Sequence, residues 1–300
     1  MAATLAVTAA TTASGNPTAP DGAKAAGTKA AAGPVGFGAG TTGGAGGSTV
    51  TVSNAADFTA AVKRTEALVI QVNGTIALSD MTKVTANKTV IGVGTSGKIT
   101  GSGLNVSKVS NVIIRNLTFT GSDDDAINVE YSTKVWIDHN DISNAYDGGV
   151  DVKRASTNVT VSWNRTHDQD KNMLLGHSDS NASEDTGKLN VTYDHNWFDG
   201  TTQRNPRVRF GNPVHVLNNY FSDIGSYGVA STEDAGVLVE GTTSRTWRTR
   251  STSVRRPPTR AASWRRTTSW STPVRARPAA AWRASPTATP PSRPPASRRA

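Results

Sequence analysis

The 300-residue chain contains no cysteine, which excludes disulfides and thiolate metal sites. It has no apolar run of about 18 residues, so no transmembrane helix is expected and a membrane is not its partner. The last 59 residues have no lysine, no acid and no glycine, yet they hold 14 arginines. The overall net charge of +9 therefore misrepresents the rest of the chain. Residues 1–241 carry 18 basic and 23 acidic side chains, a mildly acidic body for which nucleic acid is not the expected partner.

The two ends differ from the middle. The first 47 residues are mostly Ala, Thr and Gly with few large apolar side chains, and such composition cannot bury enough surface to order itself. Most of this stretch is expected to be leader or linker. The opening MAATLAVTAATTASG has a weak apolar run followed by small residues, as the end of an export signal does, although a basic start is missing. Secretion is the destination this suggests. The tail from Thr242 uses seven residue types and holds nine of the 14 prolines and four of the seven tryptophans. It reads either as a basic, disordered arm or as a stretch translated out of frame. One codon choice for TTSRTWRT, moved by one base, gives NYFENVED, close to NNYFSDIG at Asn218. The second reading expects a single-base slip near codon 242, which resequencing checks. The expected organisation is a leader over 1–32, a folded domain over 33–241 and a disordered tail over 242–300.

Between residues 88 and 241 one pattern recurs. Short β-branched runs start at Val90, Val112, Val135, Val159, Val191, Val214 and Val237, at spacings of 22, 23, 24, 32, 23 and 23. Each ends in Asn, Asp or Gly. Two-residue hairpin signals are nearly absent, and the leucine signature of a leucine-rich repeat is missing. A period near 22 with one dominant strand predicts an all-β, right-handed, single-stranded parallel β-helix whose coils stack as rungs. Asn116, Asn140, Asn164, Asn196 and Asn219 are expected to turn the chain and stack as an amide ladder. The 32-residue step implies an insertion around Asp179, SDSNASEDT, bordering a binding face. His139, His195 and His215 are expected to pack or hydrogen-bond. Trp136, Trp163 and Trp197 are expected to pack within strands.

Some polar residues are surplus to such a repeat. Residues 123–125 are three aspartates, and Asp147 and Asp151 follow one rung later. With rungs about 4.8 Å apart, Asp125, Asp147 and Asp151 either converge on a hard cation such as Ca²⁺ or are solvated turn aspartates. Lys171, Arg204, Arg207 and Arg209 lie on two later rungs. They either hold an anionic polymer beside that cation or are exposed strand charges.

Together VWIDH, DGGVDVK, KNMLLGHSD and RNPRVRFG, in this order between Gly36 and Gly241, resemble the pectate lyases of polysaccharide lyase family 1. The resemblance implies Ca²⁺ ligands at Asp125, Asp147 and Asp151, with Asp123 as an additional one. It implies substrate binding by Lys171 and Arg209, and catalysis by Arg204 as the base. The implied partner is polygalacturonate, cleaved by β-elimination, with the protein acting as a secreted monomer. Arginine holds its proton above about pH 12, so a base role implies an alkaline optimum. The alternatives are a pectin lyase working on methylated substrate without calcium, and a non-catalytic polygalacturonate-binding β-helix. The family's final rungs are replaced by the tail, which would leave the rung VLVEG with an open edge.

Overall fold

The structure is a computed structural model that describes residues 33–245. The expected leader over 1–32 and the tail beyond residue 245 lie outside the described residues. The described chain coils into a parallel β-helix of three sheets, with nine, eight and seven strands. The nine-stranded sheet holds the recurring runs, from Ser48–Val52 through Ser110–Arg115, Thr133–Asp138, Thr157–Ser162 and Val191–Asp194 to Val237–Glu240. Each coil then passes to the eight-stranded sheet, for example at Asp141–Ser143 and Arg165–His167. It passes next to the seven-stranded sheet, for example at Val150–Lys153 and Arg207–Arg209.

Strand alternation supplies the core. Val112, Val135, Val159, Val191 and Val214 form one inward column and are fully buried. Phe119, Ile142, Thr166, Phe198 and Phe221 form a second column, with the last two rings 4.8 Å apart. The inward valines of the seven-stranded sheet, Val106, Val129, Val152 and Val208, are fully buried as well.

The register corrects two expectations. The partner of Val112 is Lys88, not Val90, which pairs with Ile114. A slip of two residues keeps every side chain on its own face, so alternation alone cannot detect it. Lys88 is therefore a lysine in an inward column, fully buried, with its Nζ donating to Glu66 O at 2.7 Å and Ala86 O at 2.8 Å. Burial pulls its pKa below the ordinary lysine value. The amide ladder runs through Asn140, Asn164, Asn196 and Asn219, the first three each donating Nδ2 to the next Oδ1 at 2.9 to 3.0 Å. Asn116 is not a member. Leu117 holds that place, its N–H donating to Asn140 Oδ1, while Asn116 occupies the preceding left-handed position with φ 53°.

That left-handed position repeats in His139, Trp163, His195 and Asn218. There the rings of His139, Trp163 and His195 stack, at 5.7 and 4.2 Å between centroids. The histidines also meet carboxylates, at Asp138, Asp194 and, for His215, Glu240. Trp136 is buried as expected, but Trp163 is half exposed because it lies in the turn rather than in the strand. Trp197 opens a strand yet faces outward, under the guanidinium of Arg165.

The coil starts earlier than the repeat shows. Strands Ser48–Val52 and Leu68–Val72 add two rungs at a 20-residue step, separated by the helix Ala55–Lys63. Asn54 caps that helix by accepting from the Asp57 N–H, and Phe58, Ala61 and Val62 bury its apolar face. The glycine-rich stretch before it, at the start of the expected folded domain, is an ordered strap. The Phe37 and Gly38 N–H groups donate to Thr192 and Thr160 hydroxyls on the nine-stranded sheet. A Cβ on Gly44 would lie 2.0 Å from Leu68 O, so only glycine allows this approach. At the other end, Thr243–Arg245 pairs with Tyr220–Ser222, carrying the coil past the expected boundary at Gly241. In this last described rung Val237 and Val239 are only half-buried and Leu238 is 42% exposed.

Candidate functional site

Each coil makes three turns, and two of them contrast. From Arg115 onward the turn from the nine- to the eight-stranded sheet takes two residues, such as 139–140 and 163–164. The turn from the eight- to the seven-stranded sheet varies in length and carries charge in successive rungs. Asp125 lies in the turn before Ile127–Glu130, Asp147 before Val150–Lys153, Lys171 before Leu174–Leu175 and Arg204 before Arg207–Arg209. Parallel stacking thus sets two acids and then two bases in a row along one edge of the seven-stranded sheet.

Asp151 stands on that sheet in register with Asn128, facing outward between buried valines. It is 1% exposed, and its Oδ1 accepts from the Leu174 N–H at 3.1 Å. Asp125 is 2% exposed, and its Oδ1 has no hydrogen-bond partner among the described residues. A Cβ on Gly148 would lie 2.5 Å from Asp151 Oδ1 and 2.6 Å from Asp125 Oδ1. Gly148 is therefore the gap across which these two carboxylates face each other. Burial, then the Asp151 charge, pushes the Asp125 carboxyl up to about 7. Burial also raises Asp151.

The structure gathers the carboxylates of Asp124, Asp125 and Asp147 within 4.8 Å of one another. Asp124, rather than Asp123, is the additional acid of this cluster. Lys153, two residues beyond Asp151 on the same face, was not anticipated. Its Nζ lies 2.8 Å from Asp125 Oδ2 and 3.4 Å from Asp151 Oδ2. Burial opposes the Lys153 charge, but Asp151 and Asp125 outweigh it and hold the ammonium above its usual value. The i, i+2 pairing of Asp151 and Lys153 was the available signal.

Lys171 Nζ donates to Asp147 Oδ1 at 2.6 Å and lies 6.0 Å from the centre of the exposed Tyr146 ring. That hydrogen bond holds Asp147 below the usual carboxylate range and Lys171 above the usual lysine value. The charge of Arg204 adds to the lowering of Asp147 and opposes the rise that burial imposes on Asp151. Both cations are set by the residue that follows. Asn172 and Asn205 are fully buried, and Asn172 Nδ2 donates to Asn205 Oδ1 at 2.7 Å. This locks the two turns to each other. Arg209 lies one strand later, with Nη1 donating to Gly176 O at 3.2 Å and Nε to Asp179. The structure thus brings Asp125, Asp147, Asp151, Lys171 and Arg204 together, with Arg209 at their C-terminal side and Asp123 not in the carboxylate cluster.

A buried oxygen without a partner, a cluster of carboxylates and a cation row suit a hard cation beside an anionic ligand. Comparison with known proteins adds the following. The sequence model of a family described as pectate lyase matches residues 6–256. "Pectate lyase B" of Colletotrichum gloeosporioides is 46% identical over 217 residues, covering 69% of this chain and 65% of that protein. "Pectate lyase plyB" of Emericella nidulans is 42% identical over 211 residues, covering 67% and 64%. The chain thus spans about two thirds of the length of these curated relatives. A Bacillus sp. N165 pectate lyase solved in complex with trigalacturonate superposes with a TM-score of 0.62 at 34% identity, covering 69% of this chain and 74% of that one. The major allergen of cedar pollen superposes with a TM-score of 0.64 at 30% identity, covering 70% and 75%.

Proposed function

Because the chain belongs to the pectate lyase family, we propose that it is a secreted lyase that cleaves polygalacturonate by calcium-dependent β-elimination. The observation that carries this is the charged row on successive turns. Acids able to hold a divalent cation stand directly beside Lys171 and Arg204.

Asp125, Asp147 and Asp151 would hold Ca²⁺, with Asp124 at the exposed side. When bound, the cation neutralises the uronate carboxylate and so stabilises the charge that develops at the neighbouring C5. Lys171 and Arg209 hold substrate carboxylates, and the Asn172–Asn205 bond fixes Lys171 against Arg204. Arg204 takes the proton from C5, and the electron pair expels the C4 oxygen. The product is an unsaturated sugar end, and no water is consumed. A hydrolase would instead need an acid and a base or nucleophile flanking the glycosidic bond.

The test is ultraviolet absorbance of the conjugated product from polygalacturonate, with Ca²⁺ and then with EDTA. Calcium-dependent product at alkaline pH is the expected result. Activity that survives EDTA, or a flat profile from neutral to alkaline pH, counts against this assignment of the acids or of Arg204.

A further inference from the structure

The insertion that breaks the repeat reaches the candidate site. It contains the short helix Ala182–Asp185 and is fastened to the neighbouring rung. Asp185 Oδ1 accepts from the Ala155 N–H at 2.8 Å, and Arg154 lies 2.8 Å from His177 Nε2. So fastened, the insertion puts the Asp179 carboxylate on Arg209 Nε and 3.7 Å from Arg207 Nη2. Arg209 is only 11% exposed, whereas Asp179 is 62% exposed. Gly176 stands between Lys153 and Arg209 in the outward column, where a Cβ would lie 2.8 Å from the Arg209 Cβ and carbonyl oxygen, and its own carbonyl accepts from Arg209 Nη1.

A guanidinium facing a carboxylate is the arrangement in which an arginine would hold a uronate. We propose that Asp179 is an internal stand-in for a substrate carboxylate, holding Arg209 in its binding pose and giving way to a uronate when the polymer binds. This rests on the lyase reading above. The exposure difference sets the direction of exchange, since the acid can swing out to water while the guanidinium stays. An ion pair open to solvent on one side is weak, so the exchange needs little free energy.

The experiment measures trigalacturonate affinity by calorimetry, with Ca²⁺ present, in an Arg204→Ala background that prevents turnover. Asp179→Asn is expected to tighten binding about two- to five-fold, the range an exposed ion pair spans. Arg209→Gln is expected to weaken binding, and adding Asp179→Asn to it should bring no gain. Unchanged or weaker binding by Asp179→Asn alone would overturn the exchange, leaving Asp179 as a support for Arg209. A gain that persists without Arg209 would also overturn it, because the effect would then be general charge. If the Arg204→Ala protein binds no trigalacturonate, the lyase reading fails first and the exchange falls with it.

Discussion

Two of the three turns of each coil solve opposite problems. The first, at residues 139–140, 163–164 and 195–196, is uniform in length and uncharged apart from its histidines. It satisfies its own backbone, because each ladder asparagine bonds the next asparagine and a strand carbonyl of the preceding rung. The second turn varies in length and places a carboxylate, a lysine or an arginine in each of four successive rungs. A self-satisfied first turn sets the height of the rungs it joins, so the other turns are free to vary and still arrive in register. The 32-residue step demonstrates this, its insertion lying in the third turn, between Leu174–Leu175 and Val191–Asp194. Asn164 meets Asn196 across the insertion at 3.0 Å, while Asn140 meets Asn164 across an ordinary step at 2.9 Å.

This division can be broken from either side. Arg204→Lys should lower kcat by roughly a hundred- to ten-thousand-fold, the usual weight of a positioned proton acceptor. Its urea midpoint should stay at the wild-type value. A large loss of stability would show that the second turn also holds the coil.

Asn164→Ala should do the reverse. It strands buried groups of both neighbouring rungs, at a cost of about 2–3 kcal/mol. Urea unfolding measures this, and the folded fraction should keep its kcat.

The raised Asp125 carboxyl yields a pH test. Folded Asp125 keeps a proton to about pH 7, while in the unfolded chain it is lost near 3.8. Between these values the folded state binds more protons, so the contribution of Asp125 to metal-free stability falls as pH rises. Calcium needs the deprotonated carboxylate, so its affinity should climb through the same window. Thermal unfolding with and without calcium from pH 4 to 8 checks both trends, and Asp125→Asn should flatten them.

The smallest effect is expected at Trp163. Removing its ring from between His139 and His195 with Trp163→Ala should cost about 1 kcal/mol, as an exposed aromatic contact does. A loss as large as that of Asn164→Ala would mean that the ring stack, not the amide ladder, sets rung height.

Much of this was legible in the sequence, for a physical reason. Repetition aligns residues, so Asn140, Asn164, Asn196 and Asn219 identify themselves. Once the rungs are aligned, Asp125, Asp147, Lys171 and Arg204 fall on neighbouring turns. What escaped lies where repetition fails. The first two rungs use a 20-residue step and are separated by a helix, so no period covers them. Lys88 hid because a two-residue slip preserves the face. The conformation of the glycine strap is not legible because its order comes from Thr160, Thr192 and Asn111 on a sheet far along the chain. Lys153 and Asp179 were missed because each matters through a partner that only folding supplies.

Lys88 also gives the molecule a clock. Amine-reactive reagents reach exposed lysines at once, but this ammonium is sealed inside the coil between Glu66 O and Ala86 O. It can be labelled only when its rung opens. Its labelling rate therefore counts openings of the N-terminal coils one event at a time. Mass spectrometry can read that count at a single residue without an introduced probe.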